Sequence, residues 1–449
     1  AGPDVTHSNV NGISSYGAVG DIFGYALGSY TCNVGNQNLR WGTSWQGSPW
    51  LAMNAYRLKD GVLQQIGMSW VKNSCCAGAS SGICGTCNGV GGSMLGVNCL
   101  DVYGSGYNGG QTRLGPRSIF NAFTGQEGPG DNTSSGDAIY KRLQVHRSDL
   151  NPALNANALY FVEGVYLASD ETDQAAKLNN ASHKRVTITN NATYTMTEQG
   201  NMQVGRPAIY AWRDHGLGVN VPDPSIVITP VDVPGEGRFY VGSKVTPLPG
   251  GLYRYDYAIF NQNSDRSASG LVIPVPAGVS VSAVTFKGVP YHSGEVYSNT
   301  PWTAERKATT VEFGSPQKFQ DNANTNALRW GTMYNYSFIA DRPGADVQAT
   351  LALFKPGAPA GLTITVPAPA LPVCVADIAN DGIAGPAPGP DGALTGADFD
   401  LFVEAFFTEM TSGGRLIADL TDGLGTGQPD GRLTGTDFDL FVVEFFTGC

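Results

Sequence analysis

Charged residues are scarce in this chain. Asp, Glu, Lys and Arg make up 14% of its 449 residues, against roughly 25% in a typical soluble protein. That is not the make-up of an ordinary helical cytosolic enzyme. Long apolar runs are absent, and none approaches the ~18 residues that cross a bilayer as a helix. There is no Gly-X-Y period, which excludes collagen. No basic stripe is available to neutralise phosphates, which argues against a nucleic-acid partner. Histidine is rare: His7, His146, His183, His215 and His292 are all there are, and none is spaced as His-x-x-x-His or His-Glu-x-x-His. No Gly-x-Ser-x-Gly elbow and no P-loop occurs. What is present is 59 Gly, 27 Pro, 10% aromatic and 41% hydrophobic residues. That is apolar material enough for cores rather than a disordered chain, and the length suits about two to four domains.

The eight cysteines, an even number, fit an oxidising compartment. Six of them, Cys32, Cys75, Cys76, Cys84, Cys87 and Cys99, lie in the first hundred residues. Cys84-Gly-Thr-Cys87 alone has a zinc-like spacing. In an exported chain, disulfides that staple Gly-rich loops are the expected use, and spacing does not fix which cysteines pair. The opening Ala1-Gly2-Pro3-Asp4 reads as a mature end left by signal-peptide removal. An extracellular or cell-surface location is the expectation.

The body reads as mainly β. Residues 1–222 form a Gly-rich, disulfide-stapled β domain, with strands at 52–59, 63–71, 159–168 and 186–197 and a hairpin turn at Asp60-Gly61. Residues 223–357 read as an immunoglobulin-like β-sandwich of seven short β-branched and aromatic strands: 238–245, 252–261, 270–275, 279–287, 309–313, 329–340 and 347–354. Residues 358–373, rich in Pro and Ala, read as a stiff linker. The pentapeptide Leu39-Arg40-Trp41-Gly42-Thr43 recurs at Leu328-Arg329-Trp330-Gly331-Thr332, too short a match to establish a duplication.

Residues 374–449 differ from the rest. They hold ten Asp and three Glu against Arg415 and Arg432, a net charge of −11 that equals the whole chain's. Two segments align at an offset of 39, beginning Asp391-Gly392-Ala393-Leu394-Thr395 and Asp430-Gly431-Arg432-Leu433-Thr434. Each leads into an apolar stripe at helical spacing: Phe399, Phe402, Val403, Phe406 and Phe407, then Phe438, Phe441, Val442, Phe445 and Phe446. Two such helices are expected to bury their stripes against each other. Each preceding loop has the logic of a calcium loop. Asp-Gly supplies a ligand and a sharp turn, a leucine packs inward, and an aspartate seven residues on closes the shell. A loop held by turns and helix caps without metal is the other reading.

This arrangement resembles a dockerin, a pair of calcium loops each followed by one helix, in the variant that ends Gly448-Cys449. The resemblance covers the last 76 residues and departs in spacing. Asp377 and Asp391 are 14 apart, and Asp419 and Asp430 are 11 apart, so Gly/Pro-rich residues bulge out or the first ligands differ. The candidate calcium ligands are Asp377, Asp381, Asp391, Thr395 and Asp398 in one loop, and Asp419, Asp422, Asp430, Thr434 and Asp437 in the other. The placement of Cys374 and Cys449 suggests a clasp across the module, which in the chain-entropy model would stabilise it by about 4 kcal/mol. Intermolecular pairing of the terminal cysteine is the alternative. A cohesin-like partner is what the resemblance implies.

Three spots carry weaker signals of chemistry. Asp214-His215 beside Trp212 is an acid–base pair or a surface turn. Glu163, within an apolar strand, is a general acid with a raised pKa or one partner of an arginine across the sheet. His292 and Glu295 lie in a loop. The seven tryptophans serve sugar stacking or cores equally well. The leading expectation is an exported, non-catalytic surface or matrix protein, a self-associating filament-type subunit with a calcium-dependent tail. The rival is a dockerin-bearing carbohydrate-active enzyme or a polysaccharide-binding protein.

Overall fold

A computed structural model describes residues 2–42, 47–74, 76–130, 133–290, 294–370, 376–380, 387–388, 394–412, 415–421 and 429–447. The chain divides into two units, Ala1–Ala370 and Leu371–Cys449. The first is almost all antiparallel β, and the second carries a pair of helices.

In the first unit a six-stranded sheet runs in the order Leu114–Gly115, Val62–Asn73, Trp50–Lys59, Leu159–Leu167, Ala181–Ile188, Met196–Gln203. Its central hairpin turns at Asp60 and Gly61, both with positive φ (51° and 75°), the pairing that two-residue hairpins require. Two three-stranded sheets cover it. The expected strand at 186–197 is instead the end of one strand and the start of the next. Asn191 Oδ1 accepts from the Thr193 and Thr195 amides and folds the chain back, a local turn that competes with strand continuation.

The sandwich has two five-stranded sheets. One runs Val227–Asp232, Arg238–Leu248, Leu252–Asn261, Thr332–Ala340, Val281–Lys287. The other runs Thr303–Arg306, Thr310–Gly314, Ala268–Pro274, Gly344–Leu353, Gly361–Pro369. The expected seven strands are therefore ten. The last one corrects the linker reading. Leu362, Ile364, Val366 and Ala368 alternate into the core, as a half-buried strand demands, and the prolines are tolerated because the strand lies at a sheet edge. The reading boundary at 222 also falls inside one unit. Trp50, Phe161 and Trp212 share a core with Tyr240, Phe260 and Trp330. Trp41 and Trp330 of the repeated pentapeptide are both buried, in different cores.

Six cysteines were expected to staple the first domain. Cys32 bonds Cys84 and Cys87 bonds Cys99, and Cys76 is also disulfide-bonded. Cys75 lies outside the described residues. Cys84 and Cys87 thus belong to different disulfides, which removes the zinc reading of their spacing.

In the second unit, helices Gly396–Thr408 and Gly435–Thr447 stack Phe402 on Phe441, ring centroids 3.9 Å apart. Both rings are fully buried, with Ala405, Ala418 and Leu420 around them. The stripes are wider than the contact: Phe407 and Phe446 are 75% and 72% exposed. Phe402→Ala should cost about 3 kcal/mol of this unit's stability through the cavity it leaves. Helical circular dichroism during chemical unfolding checks this, with tryptophan fluorescence as the internal control because all seven tryptophans lie within Ala1–Ala370.

Candidate metal loops and buried polar centres

Each C-terminal helix begins with the same device. Thr395 caps the first helix, and Asp398, three residues on, completes the capping box. Asp398 Oδ1 accepts from the Ile378 and Ala379 amides, both at 2.8 Å, and Oδ2 from the Thr395 amide at 2.8 Å. Asp437 repeats this at the offset of 39. Oδ1 accepts from the Leu420 and Thr421 amides, and Oδ2 from the Thr434 amide and hydroxyl, at 2.8–3.0 Å. Neither aspartate is exposed. Each carboxylate thus latches the helix start to the backbone that opens its own loop.

A carboxylate has about four lone-pair sites. Four donors use those of Asp437, so in this arrangement it serves as a latch rather than a metal ligand, and Asp398 is engaged in nearly the same way. Asp419 differs. Its two oxygens accept one amide each, from Asp430 at 3.1 Å and Gly431 at 2.6 Å, which leaves room on both for a cation. Asp430 is exposed and bonds the Arg432 amide through one oxygen. Asp377 is buried beside the first loop, and Thr395 and Thr434 are half-buried. Asp381, Asp391, Asp422, Cys374 and Cys449 lie outside the described residues. Among the described residues no three acids, histidines or cysteines gather closely enough to hold a metal. Asp419 thus keeps acceptor capacity on both oxygens, while Asp398 and Asp437 direct theirs to backbone and threonine donors.

In the first unit Glu163, Glu295, Asp214 and His215 each bond neighbouring protein groups. Glu163 is fully buried in the six-stranded sheet. Its Oε2 accepts from Asn54 Nδ2 (2.8 Å) and Tyr56 Oη (2.6 Å), and Oε1 accepts from the Ala208 amide (2.6 Å). Burial raises its pKa, and the hydrogen bonds and the Arg117 charge pull it back. The expected arginine is near but does not bond it directly. Arg117 is itself buried. It donates to the carbonyls of Ser69, Met53 and Gly331 and to Asn54 Oδ1. Burial lowers its pKa to about 10. Gly331 has φ +65°, and a Cβ there would stand 2.7 Å from Arg117 Nη1, so only glycine lets that carbonyl reach the guanidinium. Glu295 accepts from the amides of Arg117 and Ser118. Asp214 pairs with Arg206 at 2.7 Å, and His215 Nδ1 accepts from the Asn220 amide. His292 lies outside the described residues.

Nothing in residue type or spacing marks Arg117. It sits in the irregular stretch Leu114-Gly115-Pro116-Arg117, where no periodicity marks a buried position. An open cleft of about 600 Å³ lies at one end of the sandwich, lined by Arg266, Gln317, Lys318, Phe319, Phe354 and Lys355 among others. No helix is long and apolar enough to cross a membrane among the described residues.

No family model matches the chain, and no curated protein matches it. Among solved structures, the exo-chitosanase CsxA of Amycolatopsis orientalis in complex with PNP-beta-D-glucosamine is 8% identical over 76% of this chain and 25% of that one, with a TM-score of 0.14. The crystal structure of the same exo-chitosanase is 10% identical over 76% and 25%, also with a TM-score of 0.14. This chain spans about a quarter of those proteins' length. At that TM-score the likeness extends to neither fold nor activity.

Proposed function

We propose that this chain is an exported, non-catalytic β-protein of a surface or extracellular matrix. Its C-terminal unit is a dockerin-like attachment module organised by calcium, which engages further copies of the chain or a cohesin-like partner. The observation that carries the reading is the repeat in three dimensions: two loops and two helices, 39 residues apart, with the same aspartate latch and with the equivalent phenylalanines stacked face to face. In the second loop the ion would be held by Asp419 and Asp430, with Asp422 available from the sequence. Oxygen-only ligands of this kind suit calcium. The latches bring the ends of each loop together, so that an ion ordering the opening aspartates also stiffens the helix starts. In the body, Glu163 and Asp214 direct both carboxylate oxygens to neighbouring protein groups.

Thermal melting of the full chain with calcium and with a chelator tests this. Calcium should raise the melting temperature of the helical transition by several degrees and leave the tryptophan-detected transition in place. Equal melting in both buffers would remove calcium from the account. One observation favours a second reading, a glycan-binding surface: the sandwich-end cleft sets Phe319 beside Gln317, Lys318 and Arg266, an aromatic face next to hydrogen-bonding groups. Titration with a panel of neutral and acidic oligosaccharides would decide it, and Phe319→Ala should abolish any binding seen.

A further inference from the structure

Three neighbouring strands of one sandwich sheet, Leu252–Asn261, Thr332–Ala340 and Val281–Lys287, turn Tyr257, Tyr336 and Phe286 toward the sandwich core. Their other face carries two polar residues per strand: Arg254 and Asp256, Asn335 and Ser337, Thr285 and Lys287. Side chains two apart on a strand share a face, and so do those directly opposite across a ladder. Asp256, Ser337 and Thr285 stand opposite one another in one row, and Lys287 stands opposite Asn335 in the next. With Gln64 of the strand Val62–Asn73 they line a cavity of about 190 Å³, room for about six waters.

The charges in this cavity do not balance. Arg254 Nε donates to Asp256 Oδ2 at 2.6 Å, so those two match. The Lys287 ammonium donates to the neutral Gln64 Oε1 at 2.8 Å and forms no ion pair among the described residues. Asp149 and Arg57, the other charges that act on it, pair with each other at 2.8 Å. One positive charge is therefore left over, which suits a monoanion, while Asp256 on the same face repels a second negative charge. The rest of the lining is hydrogen-bonding surface. Ser337 Oγ donates to Asp256 Oδ1 at 3.0 Å. Asn335 Nδ2 donates to the Leu63 carbonyl at 2.9 Å, which fixes the amide's orientation and leaves Oδ1 to accept. Thr285 is exposed. An apolar ligand would strip water from these groups and replace none of its hydrogen bonds. We propose that this cavity binds one acidic sugar unit, a hydroxyl-bearing ring with a single carboxylate. The carboxylate meets the Lys287 ammonium in a charge-assisted bond. The ring hydroxyls, each a donor and an acceptor, suit the mixed set around it: Asn335 Oδ1 and Asp256 accept, Arg254 donates, and the Thr285 hydroxyl does either.

The site uses no residue of the C-terminal unit and none of the sandwich-end cleft, so it stands whether or not calcium binds. Saturation-transfer NMR on the full chain, which detects millimolar binding, tests it with glucuronate and glucose as probes and inorganic sulfate as competitor. Glucuronate should bind saturably. Glucose, which lacks the carboxylate, should bind at least about tenfold more weakly, and sulfate at equal concentration should not displace glucuronate. Lys287→Met should weaken glucuronate by a similar factor. Thr285→Val, a change at an exposed position that leaves the fold in place, should weaken it less, and Phe319→Ala in the other cleft should change nothing. No saturable signal from glucuronate with the wild type would overturn the proposal. So would equal binding of glucose, or displacement by sulfate, which would mark a bare anion site. Loss of binding in Phe319→Ala with Lys287→Met unaffected would place the sugar at the sandwich end and overturn it too.

Discussion

Arg117→Ala should lower the stability of the β unit by about 3–5 kcal/mol, the range for removing one partner from a buried charged network. The guanidinium fills a position that no neutral side chain reproduces. It satisfies three backbone carbonyls and one amide oxygen, drawn from Met53, Asn54 and Ser69 in the six-stranded sheet and its hairpin and from Gly331 at the start of a sandwich strand. Its charge also supports Glu163 and Glu295, both buried. Removal would take a charged donor from each of these four acceptors, of which the Gly331 carbonyl keeps Asn54 Nδ2 at 3.0 Å, and would leave two carboxylates without that counter-charge. Arg117→Lys should recover little, because one ammonium cannot span the planar fork of donors. The midpoint of denaturant unfolding, followed by tryptophan fluorescence, measures the loss. A change within about 0.5 kcal/mol, the range of ordinary surface substitutions, would show that the network does not join the two parts of the unit.

Glu171→Gln should make the protein more stable, and increasingly so as pH rises. Glu171 is buried, and burial raises its pKa to about 8, with Asp4 and Asp170 adding to the shift. The unfolded chain releases this proton near pH 4.5, so between about 4.5 and 8 the folded state holds a proton that the unfolded state has lost. Stability linked to this group therefore falls with rising pH across that window. The gap between variant and wild type should widen by about 1.4 kcal/mol per pH unit, to on the order of 4 kcal/mol at pH 8. His7 and His183, which burial lowers to about 4, titrate in both proteins and cancel in the difference. The substitution also fits the hydrogen bonds. Glu171 accepts from the Val5 amide and from Asn180 Nδ2, while Asn180 Oδ1 is buried without a hydrogen-bond partner. A half-turn of the Asn180 amide would accept the new donor. Unfolding free energies at several pH values check this, and a gap that stays constant with pH would show that Glu171 is ionised throughout.

Strands were the most legible feature of the sequence where one face is buried. The segment 252–261 matches its strand residue for residue, because aromatic and β-branched positions there alternate with turns at both ends. Gly361–Pro369 escaped because two prolines on either side of Ala368 mask a period that only its neighbour Gly344–Leu353 makes meaningful. The C-terminal helices were legible from spacing alone, and Asp398 was placed at the first turn, there as a calcium ligand, while the structure shows it with Thr395 in a capping box. The donors of Ile378 and Ala379 to Asp398 were not, since they come from backbone amides and leave no trace in residue type. The buried centres around Arg117 and Glu171 were the least visible. Each depends on side chains brought together from distant strands, and a single charged residue in a strand looks the same in sequence whether it faces solvent or a core.

Isothermal titration of calcium into the full chain, with Asp419→Ala alongside, bears most directly on the reading of the C-terminal unit as an ion-organised attachment device. The wild type should bind calcium saturably and show slower hydrogen exchange in Gly396–Thr408 and Gly435–Thr447 once loaded, and the variant should lose at least one site. No binding heat, with both helices equally protected in chelator, would contradict it and leave the aspartate latches as the whole basis of the unit's order.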